Sequence, residues 1–226
     1  MFAVLFEVQP KSAQWDSYLA YAKMLRPELE QVDGFVDNIR YRSLTRDGWL
    51  LSLSSWRDEK SVVRWRTKVR HHDVQEKGRG EIFLDYHLRV GQVTADTRVP
   101  DGQVLQEQRL DETEIGEGTT VTLIDGARSH DAVARATPQA VASWLGWSPD
   151  ASGLVSWDVY EAVLSPGEII VMIVWRDAAA AQAFDRAAAV SDETRRRRIR
   201  IVRDYGMFDR REAPQYYPEG ADQRHR

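Results

Sequence analysis

The chain of 226 residues contains no cysteine, which excludes disulfide bonds, thiolate metal ligands and a cysteine nucleophile. Long apolar runs are missing as well, since no stretch approaches the roughly 18–20 apolar residues of a membrane-spanning helix. The first ten residues, MFAVLFEVQP, lack the basic start and the extended apolar run of a signal peptide. We therefore expect a cytoplasmic protein that has no membrane partner.

Common cofactor and catalytic motifs are also absent. The sequence contains no phosphate-binding glycine loop, no dinucleotide fingerprint and no Ser-His-Asp pattern, so bound flavin, nicotinamide or ATP is not expected. The adjacent His71 and His72 cannot both bind one ion from a regular helix, and no metal site is expected there. A formal net charge of −4 gives no reason to expect nucleic acid as a partner.

The chain contains an internal repeat. The tripeptide Trp-Arg-Asp occurs at 56–58 and again at 175–177, which defines an offset of 119 residues. Self-similarity at one offset indicates two copies of a structural module. The same offset aligns Gly34 with Gly153, Val36 with Val155, Tyr41 with Tyr160, Arg79 with Arg198, and Asp85–Tyr86 with Asp204–Tyr205.

Each copy is predicted to follow the order β-α-β-β-α-β, from strand-like apolar runs and apolar residues at helical spacing. In the first copy the predicted strands are 2–8, 35–44, 49–56 and 81–93, and the helices are 12–32 and 59–77. In the second copy the strands are 119–125, 154–164, 168–175 and 197–208, and the helices are 131–146 and 177–189.

This order is that of the ferredoxin-like fold, whose sheet carries helices on one face only. The other face needs an apolar cover, which two copies in one chain can supply for each other. We predict an α+β protein in which two ferredoxin-like repeats form an intramolecular, pseudo-dimeric α+β barrel. The predicted divisions are a first domain at 1–94, a linker at 95–118, a second domain at 119–212 and a flexible tail at 213–226.

Several residues of the first copy form a recognisable pattern: Trp56, Trp65, His71, Gln75, Gly78–Arg79, Phe83 and Tyr86. With this pattern, residues 52–93 resemble the antibiotic biosynthesis monooxygenase (ABM) domain of the dimeric α+β barrel superfamily. The resemblance extends over 1–93 and, more faintly, over 119–210, as a tandem form. Known members include cofactor-free oxygenases of aromatic polyketides, haem-degrading oxygenases and small isomerases, so the resemblance implies a fold and leaves the reaction open.

His71 and His72 are the candidate catalytic residues, because histidine titrates near neutral pH and can act as a general base. Neighbours on a helix point about 100° apart, so we expect at most one to face the interior. The family pattern places its histidine at His71, whereas the spacing from Trp65 favours His72. The alternative interpretation is a pair of surface histidines near the helix end.

Candidate substrate-binding residues lie on the predicted helix of these histidines and on two predicted strands of the first copy. Trp65 would form an apolar wall, and Asn38 and Arg40 could hold an oxyanion or coat a solvated strand face. His87 shares a strand face with Asp85, as a polar site or as part of cross-strand ion pairing. The predicted substrate-binding residues are Trp65, Asn38, Arg40, Tyr86 and His87.

Haem is the alternative cofactor, with His71 as its ligand. The sequence has Gln75 at the spacing from Trp65 that haem-degrading relatives use for their histidine, and it lacks their strand asparagine. At the offset of 119 residues, His71 maps to Val190, His72 to Ser191 and His87 to Gly206. We therefore expect the functional pocket in the first copy alone.

The function predicted from the sequence is that of an ABM-type monooxygenase acting on a small aromatic or polyketide-like substrate without a bound organic cofactor. The alternatives are a haem-binding or haem-dependent enzyme and a non-catalytic barrel that binds small molecules. The expected partner is the small-molecule substrate, and the protein would be a monomeric pseudo-dimer or a further homodimer.

Overall fold

The structure is a computed structural model that describes residues 1–187 and 191–215. These residues contain eight strands and six α-helices. The strands are β1 (Phe2–Pro10), β2 (Phe35–Ser43), β3 (Leu50–Trp56), β4 (Phe83–Asp96), β5 (Thr120–Ala127), β6 (Leu154–Ala162), β7 (Glu168–Trp175) and β8 (Arg195–Gly206). The helices are α1 (Trp15–Glu30), α2 (Glu59–Arg66), α3 (Val69–Lys77), α4 (His130–Arg135), α5 (Pro138–Trp144) and α6 (Ala178–Ala187).

The strands close into one antiparallel barrel in the order β1-β3-β2-β6-β7-β5-β8-β4. Each repeat contributes a four-stranded sheet, and the sheets join where β2 pairs with β6 and where β4 pairs with β8. The barrel interior is filled by apolar side chains from both repeats, including Leu5, Leu53, Leu123 and Met172. The predicted pseudo-dimeric barrel is confirmed, and its shared core explains why neither sheet needs another cover.

The last strands of the two repeats, β4 and β8, do not correspond in the way that the gapless alignment indicated. Leu5 and Leu123 occupy equivalent positions inside the barrel, opposite Arg89 and Arg197 respectively. Arg89 therefore corresponds to Arg197, which is an offset of 108 residues. The first three strands of the two repeats correspond at an offset of 118 or 119 residues. The alignment of Asp85–Tyr86 with Asp204–Tyr205 was wrong.

The shift arises from the connection that precedes the last strand. Residues 67–82 join α2 to β4 and contain α3, whereas only the positions 188–194 separate the last described residue of α6 from β8. The second repeat therefore lacks the chain length for a counterpart of α3, the helix that carries His71. Val190, to which the gapless alignment mapped His71, lies outside the described residues.

Three predicted helices are divided or shorter than the sequence pattern indicated. The 12–32 stretch begins as a 3-10 turn at Ser12–Gln14 before α1, which continues through Pro27. The 59–77 stretch breaks into α2 and α3, and the 131–146 stretch into α4 and α5, where Pro138 takes the first helical position. Positions 188 and 189 of the predicted last helix, and 216–226 of the predicted tail, lie outside the described residues. In the described ranges no helix has the length and apolar character needed to cross a membrane.

The repeated Trp-Arg-Asp is a strand-to-helix junction. Trp56 and Trp175 are buried at the ends of β3 and β7. The carboxylate of Asp58 accepts hydrogen bonds from the backbone N–H and the hydroxyl of Ser61, each at 2.8 Å. In the second copy Asp177 accepts from the backbone N–H of Ala180 at 2.9 Å. Both aspartates satisfy an N–H group that the helix itself cannot pair.

Asp58→Ala is expected to lower the free energy of unfolding by about 1 kcal/mol, because the substitution removes the N-cap acceptor of α2. Urea unfolding followed by circular dichroism measures this loss. Asp177→Ala should produce a similar loss, and Asp58→Asn, which retains an acceptor oxygen, only a small fraction of it. Equal stability of Asp58→Ala and the wild type would contradict the capping role.

Candidate active site

A cavity of about 600 Å³ lies in the first repeat, between the outer face of the sheet and helices α1, α2 and α3. This volume is in the range of small-molecule binding sites. Its walls are largely apolar, with contributions from Leu25, Leu29, Trp56, Trp65, Phe83 and Tyr86. The cavity can therefore remove most of a small apolar ligand from water.

The strand pairing arranges the cavity floor in two rows across five strands. One row runs through Arg40, Ser52, Phe6, Leu88 and Tyr205. The other runs through Asn38, Ser54, Val4, Val90 and Arg203. The floor is thus polar on β2 and β3, apolar on β1 and β4, and polar again on β8.

The same surface of the second repeat is apolar and filled. At the offset of 119, Asn38, Arg40, Ser52 and Ser54 correspond to Trp157, Val159, Val171 and Ile173. Trp147 packs over this surface, with its ring 5.6 Å from that of Trp175 and 5.5 Å from that of Phe184. The equivalent strand faces are polar in the first copy and apolar in the second. This difference is the sequence signal that would have identified Ser52 and Ser54.

His71 lines this cavity as a neutral hydrogen-bond acceptor. Its Nδ1 lies 3.1 Å from the carbonyl oxygen of Trp65, and a carbonyl can only accept, so Nδ1 carries the proton. The Nε2 atom is therefore unprotonated. The imidazole stacks on the Trp65 ring at 4.3 Å, and burial lowers the pKa of His71 to about 4, although the hydrogen bond to Trp65 opposes this shift. The ring is held rigidly in its base form at neutral pH.

His72 lines the cavity too, so the expectation that at most one of the pair faces inward was wrong. The spacing from Trp65 favoured His72 only for one continuous helix, whereas Trp65 lies on α2 and both histidines lie on the separate helix α3. The Nε2 atom of His72 lies 3.9 Å from a carboxylate oxygen of Glu76 on the same helix. His71, at the family position, is the one whose pKa burial depresses strongly.

Arg40 places a cationic group on the cavity floor. Its Nε is buried and has no hydrogen-bond partner among the described residues. Burial raises the pKa of the neighbouring Tyr18 hydroxyl, and both the positive charge of Arg40 and a hydrogen bond from its guanidinium group oppose that rise. A buried N–H donor without a partner is unfavourable, and an anionic oxygen in the cavity would satisfy it.

Asn38 lies beside Arg40 in the cavity, but its donor group is already used. Its Nδ2 donates to Ser52 Oγ at 3.0 Å and to the Leu53 carbonyl at 3.2 Å. Because that carbonyl can only accept, the orientation of the amide is determined. Asn38 therefore positions the strands and offers the cavity an acceptor, while Arg40 is the donor.

His87 lies on the opposite face of β4, inside the barrel, and not in the cavity. Its Nε2 contacts the carboxylate of Asp204 on β8, and its Nδ1 lies 3.1 Å from a guanidinium nitrogen of Arg89. Arg89 also forms an ion pair with Glu7. Burial raises the pKa of Glu7, but the positive charges of Arg89 and Arg46 outweigh the effect of burial and hold that pKa below its usual value. His87 was misplaced as a substrate-binding residue, and the cross-strand ion pairing is what the structure contains.

The second repeat contributes directly to the cavity wall. Arg203 and Tyr205 project from β8, and Arg210, which donates to the Tyr86 hydroxyl, follows that strand. The expectation of a pocket built by the first copy alone was therefore incomplete. The alignment had made Tyr205 the equivalent of Tyr86, whereas the barrel places it beside Leu88 in the sheet.

No group of three or more His, Asp or Glu side chains within 1–187 and 191–215 is arranged to hold a metal ion. The chemically distinctive groups of the cavity are instead an uncharged imidazole and a guanidinium, both set among apolar side chains. Such an arrangement can accept a proton from a bound molecule and stabilise negative charge on one of its oxygens.

Comparison with known proteins places the chain in a family. The antibiotic biosynthesis monooxygenase family model matches residues 1–77. A protein of Pyricularia oryzae named jasmonate monooxygenase ABM is 48% identical over 223 residues, which cover 96% of this chain and 99% of that protein.

Solved structures of monooxygenase-like proteins are far less similar to this chain in sequence. A putative monooxygenase of Fusobacterium nucleatum has 8% identity and a TM-score of 0.37, covering 90% of this chain and 93% of its own. One from Lactobacillus acidophilus has 8% identity and a TM-score of 0.40, covering 90% and 94%. On the full-length sequence match, the chain belongs to the antibiotic biosynthesis monooxygenase family.

Proposed function

We propose that the protein is a monooxygenase that oxygenates a small, largely apolar carboxylic acid of the jasmonate class, without a bound organic cofactor. The observation that carries this proposal is the presence, in one apolar cavity, of the unprotonated Nε2 of His71 and the unpartnered guanidinium nitrogen of Arg40. The name of the relative that is 48% identical supports the substrate class. The proposal departs at this point from the aromatic or polyketide-like substrate that we expected from the sequence.

Jasmonate is a cyclopentanone that carries an aliphatic chain and a carboxylate, so some of its C–H bonds lie next to a ketone. Transfer of such a proton to Nε2 of His71 leaves an enolate, whose negative charge is concentrated on the former ketone oxygen. Arg40 would stabilise that oxygen, because a preorganised cation in a site shielded from water acts strongly on developing charge. The chain's own residues thus supply the base and the oxyanion donor.

The oxygenation step balances without an external electron donor. The enolate carbon donates electrons to O2 and bonds to one oxygen atom. The second oxygen atom leaves as water with the two hydrogens of the original methylene group, which becomes a carbonyl. The task of the cavity is to keep the carbanion away from bulk water, and its apolar walls serve that role.

Protein freed of metal and haem is expected to consume O2 when it is given jasmonate, and no nicotinamide or flavin should be required. Mass spectrometry with 18O2 should show a product that has gained one labelled oxygen atom and lost two hydrogens. An oxygen electrode supplies the rate, and boiled protein is the control.

Two other results would contradict the proposal. Turnover that appears only after haem titration, with a Soret band that His71→Ala abolishes, would identify the haem-dependent alternative. Binding of jasmonate without any oxygen uptake, under either condition, would identify a non-catalytic binding protein.

A further inference from the structure

The cavity has a second cationic region, at the wall supplied by the second repeat. Arg203 stands on β8 in the same floor row as Asn38, four strand spacings away, which corresponds to roughly 19 Å along the sheet. Val4 and Val90 lie between them. Arg203 is therefore far from Arg40, with an apolar floor separating the two.

Arg66, at the end of α2, lines the same wall. Burial lowers the pKa of Arg66 and the positive charge of Arg203 lowers it further, whereas Tyr205 and Glu59 oppose this shift. Within the described ranges neither guanidinium forms an ion pair, and the nearby Glu59 is itself bound by Arg109 at 2.7 Å. The carboxylates that act on these two charges, Glu59 and Asp111, both form their salt bridges with Arg109.

We propose that Arg203 and Arg66 form the carboxylate subsite of the substrate. The inference rests on the proposed function for the substrate class, and it adds the direction of binding. The carboxylate lies between the two guanidinium groups, whose planar donors suit a carboxylate. The apolar body lies over the floor residues of β1 and β4 and extends toward Arg40 and His71.

This orientation gives the second repeat a role in specificity. The reacting groups come from β2 and α3 of the first repeat, whereas Arg203 comes from β8 of the second. The second repeat would thus recognise the acid group of the substrate, and the first repeat would react with the rest of the molecule. An uncharged ester of the same acid lacks the anion that this wall recognises.

The test is equilibrium binding of jasmonate and of methyl jasmonate under nitrogen, so that no turnover occurs. The wild-type protein should bind the acid about 10- to 100-fold more tightly than the ester. Arg203→Gln and Arg66→Gln should each weaken acid binding by about 10-fold or more and leave ester binding unchanged. Arg203→Lys, which keeps the charge, should retain part of the preference.

Arg64→Gln is the matched control, because Arg64 lies on the same helix as Arg66 but pairs with Asp33. It should leave both affinities unchanged. Equal weakening of acid and ester by Arg203→Gln in a protein with wild-type thermal unfolding, or no effect at all, would overturn the carboxylate subsite alone. Wild-type protein that binds neither compound would instead overturn the proposed function and the subsite with it.

Discussion

His71→Ala is expected to lower kcat for jasmonate oxygenation by about 10²- to 10⁴-fold, because it removes the group that accepts the substrate proton. The Nδ1–H bond to the Trp65 carbonyl and the stacked indole hold Nε2 ready to accept, and alanine replaces neither function. Steady-state oxygen uptake measures the change. His72→Gln is the matched control on the same helix and should retain most of the activity. A comparable loss in this variant would contradict the assignment of His71 as the base.

The pH dependence follows from the depressed pKa of His71. Burial holds that pKa at about 4, so the base form is present at neutral pH and is lost as the pH falls through about 4. The profile of kcat/KM should be flat across neutral pH and decline only in acid. A decline centred near the usual histidine pKa of about 6.5 would contradict the buried geometry.

The same pKa has a consequence for stability. Because the folded pKa lies below that of the unfolded chain, the unfolded state binds the proton more readily. The folded protein therefore loses stability as the pH falls from about 6.5 to about 4, by an amount on the order of 3 kcal/mol from this residue. His71→Gln should reduce that acid-induced loss.

Arg40→Val is expected to lower kcat by about 10²- to 10³-fold, the usual effect of removing one oxyanion donor. The fold should tolerate the change, because Val159 is fully buried at the equivalent position of the second repeat. The substitution removes a buried N–H that lacks a partner, but it also removes the group that bonds the Tyr18 hydroxyl, so the free energy of unfolding should change little.

Oxygen uptake and urea unfolding of Arg40→Val measure these two effects. Arg42→Gln is the control on the same strand, since Arg42 pairs with Glu161 and does not line the cavity. It should leave kcat unchanged. A higher KM for Arg40→Val with an unchanged kcat would instead mean that Arg40 binds the ground state of the substrate.

The barrel was predictable from the sequence because its evidence is local and repeated. Trp56 and Trp175, each followed by a helix-capping aspartate, mark equivalent junctions, and turn glycines at 34 and 153 precede equivalent strands. The correspondence of the last strands was not predictable by a gapless shift. The second copy lacks the segment that forms α3, and Asp204–Tyr205 coincided with Asp85–Tyr86 by chance.

The cavity was only partly predictable. The structure brings together His71, Trp65, Asn38, Arg40 and Tyr86, which family pattern and strand alternation had singled out, and their roles stay predictions. Arg203 could not be found in that way, since its place depends on closure of the barrel between β4 and β8. His87 was misassigned because alternation shows which residues share a strand face but does not show which face the helices cover.

Deprotonation of the substrate by His71 can be measured as exchange of substrate C–H protons with solvent, by NMR in D2O without oxygen. We expect the wild-type protein to exchange the protons next to the jasmonate ketone, and His71→Ala and Arg40→Val to exchange them far more slowly. Product formation by the wild-type protein under air, with no anaerobic exchange at these carbons, would contradict deprotonation by His71 as the step that prepares the substrate for O2.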